Sequence, residues 1–120
     1  MQDNIAEQKE ALETLVEFNG RLVQNMEILV KELSGARLED TDKFLKGIVD
    51  AINWEVQVMN GTMDLLNKGK IRIQKEDFNS KILALSEGIK EKNDNKMAKA
   101  VKALIPAFES LGQAAQEVIS

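Results

Sequence analysis

Histidine and cysteine are both absent from this sequence. Their loss removes the commonest general base, the commonest transition-metal ligand and the strongest nucleophile together. A Ser-His-Asp triad, a thiolate zinc site, a disulfide and the Glu-x-x-His pairs of di-iron bundles are all excluded. The seven glycines are isolated and no Gly-Lys-Ser or Gly-Lys-Thr occurs, so no phosphate-cradling loop can be built. The oxygen-rich run Asn93-Asp94-Asn95 lacks the spacing and the closing glutamate of a calcium loop, and reads as a turn with a helix cap. Lys68, Lys70, Arg72 and Lys75 gather around one turn, but no aromatic ring is there to stack a base. A solvated loop is the simpler reading of that cluster. Carboxylate chemistry remains, and it would need two acids held at one cavity. The expectation is a non-catalytic protein with no cofactor and no metal.

The net charge is −4 and the pI about 4.9. An acidic surface is repelled by phosphate backbones, so no nucleic acid partner is expected. Residues 1–60 carry 12 acidic and 6 basic side chains, and residues 61–120 carry 8 and 10, so the two halves differ in sign. The opening Met-Gln-Asp-Asn-Ile lacks the basic-then-apolar pattern of a signal peptide. No apolar run approaches the ~20 residues that span a bilayer. A cytoplasmic protein without a membrane partner is the resulting expectation.

These residues must be positioned by helices. Strand-like alternation is confined to Lys70–Gln74, too short and isolated to found a sheet. Steps of three and four in the apolar residues predict four helical segments. The first runs from about residue 4 to Leu33, with Ile5, Leu12, Leu15, Val16, Leu22, Val23, Met26, Leu29, Val30 and Leu33 inward, and stops at Ser34-Gly35. A second, capped by Asp40 or Thr41, reaches about Asn67, with Gly69 as its stop. The third covers about Lys75 to Asn93 on a narrow stripe of Phe78, Ile82, Leu85 and Ile89. The fourth starts at Asp94 or Asn95 and continues to the C-terminus, with Pro106 on its polar side. Short links make successive helices antiparallel neighbours. The predicted fold is all-α, one domain over residues 1–120, an up-down four-helix bundle or two long hairpins that dimerise.

Four features depart from a plain bundle. The apolar arc of the second segment spans about 180–200°, against the roughly 100° that one face of a bundle helix needs. That segment is therefore central in the core or covered on a second side by another chain. Glu55 falls in the middle of this arc, where a carboxylate must find a partner, reach an edge, or give up its charge. Asn19 falls in the arc of the first segment, a place from which asparagine can set the register of a helix pairing or bond within the bundle. Gly47, Trp54 and Gly61 recur at intervals of seven along one side of the second segment. They allow close helix packing or a shallow groove beside Trp54.

The run Phe44 to Trp54 (FLKGIVDAINW), with the proline-bearing last helix, resembles small helical proteins of Gram-positive bacteria, a likeness that implies no activity. In size and make-up the chain is also similar to bacterial flagellar and type III export chaperones, which implies a small chaperone or adaptor. The residues themselves favour a protein–protein interaction module. Its docking strip is expected at Phe44, Ala51, Trp54, Val58 and Leu65, with a protein partner or a second copy as occupant. Glu55 and Asn19 are its buried polar register residues. The alternative from another class is an apolar-ligand site among Met26, Met59, Met63 and Met97.

Overall fold

The computed structural model describes the backbone of residues 3–120 and the side chains from residue 5 onward. Helices α1 (Asp3–Leu33), α2 (Thr41–Gly61), α3 (Met63–Leu66), α4 (Glu76–Lys90) and α5 (Asp94–Ile119) follow one another, and no strand occurs among the described residues. The protein is an all-α helical bundle measuring 48 × 23 × 19 Å. Contacts 19 to 108 and 37 to 94 run in opposite senses, so α1 and α5 are antiparallel. Contacts 19 to 55 and 32 to 41 make α1 and α2 antiparallel in the same way. α1 and α5 form the central pair, α2 packs on α1, and α4 packs on α5. α2 and α4 make no comparable contact, which leaves that side of the bundle open.

The central element is therefore α5, and of the two places expected for the second segment, central in the core or covered by another chain, the first does not hold. α5 buries Ala98, Ala100, Ala107, Ala114 and Ala115 beside its larger residues. Methyl-sized side chains let α1 and α4 approach it from two sides; the three-four stripe Met97, Val101, Leu104, Phe108, Leu111, Ala115 and Val118 takes in Ala115 and misses the other four. Phe78 of α4 and Phe108 of α5 meet edge to face, with centroids 5.3 Å apart, in the middle of that packing. A Cβ on Gly88 would lie 2.9 Å from Met97 Cγ, so glycine sets how closely α4 approaches α5. Ile5, expected inward, is 52% exposed because α1 extends beyond the helices that cover it.

Boundaries differ where side chains compete for the backbone. The second segment breaks at Thr62, whose Oγ1 donates to Val58 O at 2.7 Å and whose own backbone leaves the helical region. The short α3 then turns toward α5. Asn67 closes the loop that follows: its Nδ2 donates to Ile73 O, and its Oδ1 accepts from the amides of Arg72 and Ile73. Arg72 belongs to this staple rather than to a solvated cluster. Its Nη1 donates to Leu66 O and Lys68 O, and its Nε lies 3.2 Å from Glu117 Oε1. Gly69 supplies the left-handed turn, at φ 82°.

Neither expected cap acts as one. Thr41 Oγ1 accepts from Leu38 N and donates to Glu32 Oε1, tying α2 back to α1, while Asp40 makes no capping bond. Asn93, one residue earlier than expected, caps α5 by accepting from Lys96 N. Asp94 is instead held by Arg37, which donates Nε and Nη2 to its two oxygens at 2.9 and 3.0 Å and Nη1 to Asp42. That arginine fastens the starts of α2 and α5 to the end of α1, and it holds the Asp94 carboxyl below the usual carboxylate range. No described helix is long and apolar enough to cross a membrane.

Candidate functional site

The two polar residues singled out from the apolar arcs meet. Asn19 of α1 donates from Nδ2 to Glu55 Oε1 of α2 at 2.9 Å and to Phe108 O of α5 at 3.0 Å. Both amide protons are thus used, and one side chain joins the three helices at mid-length. α5 accommodates it through Gly112, where any Cβ would fall onto Asn19 Oδ1. The absence of a side chain four residues after Phe108 is what opens that carbonyl to a lateral donor.

Glu55 is 1% exposed. Among the described residues it faces no cation, and its one hydrogen bond is the neutral amide of Asn19 at Oε1. Loss of water pushes its carboxyl up to about 7, and the Asn19 bond opposes this only in part. Oε2 has no described hydrogen-bond partner, and the residue lines a groove of about 660 Å³ along the seam between α1 and α2.

Phe18, Arg21, Leu22 and Asn25 form the α1 wall of this groove, and Phe44, Gly47, Ile48, Ala51 and Trp54 form the α2 wall. From Asp40 to Trp54 the groove runs for about 21 Å at the helical rise. Trp54 is 38% exposed and Phe18 43%. They stand edge to face with centroids 6.4 Å apart, and the Arg21 guanidinium lies 5.6 Å from the Phe18 centroid. Beyond Trp54 a second notch, about 400 Å³, opens between Gln8 and Ala11 on one side and Val58 and Gly61 on the other. Trp54 lines both and forms the ridge between them.

The docking strip expected from sequence is thus only partly assembled. Phe44, Ala51 and Trp54 line one groove, Val58 lies across the ridge, and Leu65 sits on α3. The break at Thr62 is what takes Leu65 off the line. Phe44, Ala51, Val58 and Leu65 are half-buried and packed against the core, so Trp54 is the exposed member of the five. A Cβ at Gly47 or Gly61 would meet nothing within 4 Å. These glycines leave space beside Trp54, and close helix packing is the reading they overturn. Met26, Met59 and Met97 are buried in the core and Met63 packs against it, and none of the four lines the α1–α2 groove.

Phe18 was missed in the sequence because it lies off the leucine stripe of α1; its spacing of three from Arg21 was the available signal. Among the described residues, no group of three or more carboxylates is placed to hold a metal. Chemically the groove offers aromatic walls, one buried carboxyl able to gain or lose a proton near neutrality, and a rim bearing Arg21, Asp40 and Lys43.

Residues 10–114 match the model of one protein family, described as a domain of unknown function (DUF8042). No curated protein and no solved structure matches the chain.

Proposed function

The chain belongs to this DUF8042 family, and we propose that it is a non-catalytic interaction module that receives the apolar face of a partner helix in the seam between α1 and α2. One observation carries the reading: an open groove of about 660 Å³ along which Phe18 and Trp54 stand exposed at one end and Phe44 lies half-buried toward the other. Aromatic side chains that keep a third or more of their surface in water beside a preformed concavity are typical anchors of binding surfaces. The groove's length matches about four turns of a docked helix. Binding of client segments by a small helical chaperone would use the same seam.

A photo-crosslinking side chain placed at Ala51 in the full-length protein, in its own cells, tests this. Adducts should form at position 51, be absent for the same group at the exposed Lys99, and disappear in the Trp54→Ala background. Peptide sequencing of the adduct identifies the occupant: peptides of this chain alone mean a second copy, and any others a different protein. No adduct at position 51 above the Lys99 control overturns the reading.

A further inference from the structure

Glu55 is out of place in a groove that only receives apolar side chains. A leucine or glutamine there would present the same wall without the cost of a buried acid. Its carboxyl is fixed by the Asn19 bond at Oε1, and Oε2 is left without a described hydrogen-bond partner in the groove lining. The walls beside it carry Phe18 and Trp54, the edge-to-face pair, while Phe44 lies toward the far end of the groove. A buried acid with one oxygen unpaired, beside an aromatic pair and lacking a cation of its own, is complementary to a cation on an apolar body.

We propose that the group this groove recognises is a side-chain ammonium or guanidinium set in an apolar helix face, a lysine or arginine of the docked partner whose head bonds Glu55 Oε2 while its stem lies along the aromatic wall. This rests on the docking reading and adds the chemistry of the partner. On binding, the Glu55 carboxylic acid releases its proton to water and the carboxylate pairs with the incoming cation. The charged groups around Glu55 permit this. From α1, Arg21 lines the groove and is engaged over Phe18. On α2, Asp40 and Lys43 lie at the far end of the groove, with Lys43 three turns from Glu55, about 18 Å at the helical rise. α5 brings the Phe108 carbonyl, and its Glu109 opens on a different groove, on the far side of Asn19.

The test compares two probes of one shape on the purified full-length protein, 1-naphthylmethylammonium and the uncharged 1-naphthylmethanol, by calorimetry in buffers of different ionisation enthalpy. At pH 8 the ammonium should bind at least tenfold more tightly than the alcohol. At pH 6 the preference should shrink, with a proton released for each ammonium bound. Glu55→Gln keeps an acceptor for Asn19 and should fold, and it should remove the preference at both pH values. Equal binding of the two probes, a preference that survives Glu55→Gln, or no binding of either at millimolar concentration overturns the proposal; the first and third need no variant. The crosslink at Ala51 separates this from the docking reading. Adducts without an ammonium preference leave docking standing and overturn the cation. An ammonium preference without adducts overturns the protein source and assigns the site to free organic cations.

Discussion

The acid at position 55 sets how stability responds to pH. In an unfolded chain its carboxyl titrates near 4.5, and in the fold near 7. Between these values the folded chain holds a proton that the unfolded chain has lost, so stability falls as pH rises from about 4.5 to 7 and is flat above. The difference of 2.5 units, 7 minus 4.5, sets an upper size of roughly 3 kcal/mol. Glu55→Gln should therefore match the parent near pH 4.5 and exceed it by up to that amount at pH 8, as read by urea unfolding at the two pH values. A carboxyl NMR titration of Glu55 with a midpoint near 4.5 in the folded protein would remove the premise. Gly112→Ala should cost about 2 kcal/mol or more, since the new methyl displaces Asn19 and strands its partners; an unchanged urea midpoint would show that Asn19 has another place to go. Asn19 and Glu55 were legible in the sequence because each interrupts an apolar arc. That they bond each other was not, because 36 residues separate them and only the antiparallel α1–α2 pairing brings them together. Gly112 gave no sign of its role either, since what it accommodates sits on another helix.

At the scale of the element, local rules and tertiary demands diverge in readable ways. The extents of α1 and α5 follow their apolar spacing closely, as long and strongly periodic segments do. α2 ends early because the hydroxyl of Thr62 turns back onto the helix, a choice open to any threonine and taken where the chain must turn toward α5. The caps moved for a similar reason: Thr41 and Asp94 are spent on ties between helices, to Glu32 and Arg37. Gly20 and Gly61 sit within helices, with open space where a Cβ would go. Gly20→Ala and Gly61→Ala should each raise stability by roughly 0.5–1 kcal/mol, in contrast to Gly112→Ala, through helix propensity alone. A loss at either position in thermal unfolding would mean that its bare backbone is in use.

For the whole molecule, the wide apolar arc of the second segment was legible, and its resolution was not. Part of the arc is absorbed by α1 and the core, and the remainder forms the α1–α2 groove rather than a free stripe. Trp54→Ala should accordingly leave the fold intact while weakening partner association by about 2 kcal/mol or more. Val58→Asp should lower the melting temperature as well, because Val58 packs against the core. Circular dichroism melts of the two variants separate these outcomes, and a Trp54→Ala chain that unfolds would place the ring in the core instead. The sole tryptophan also reports occupancy, with emission shifting to shorter wavelength when a partner covers it.

Because α2 leans on α1 and leaves the side toward α4 open, it is the long helix with the least holding it in place. Detaching it would break the Asn19–Glu55 bond, the Thr41–Glu32 tie and the Arg37–Asp42 pair, while the α1–α5 pairing stays whole. In deuterium exchange the amides of α2 should then escape through a partial opening of lower free energy than that protecting α1 and α5. Glu55 leaves the interior with α2 and regains its ordinary acidity in water. The opening should therefore become easier as pH rises from 5 to 7, after correction for the intrinsic chemistry of exchange, and a bound partner should slow it.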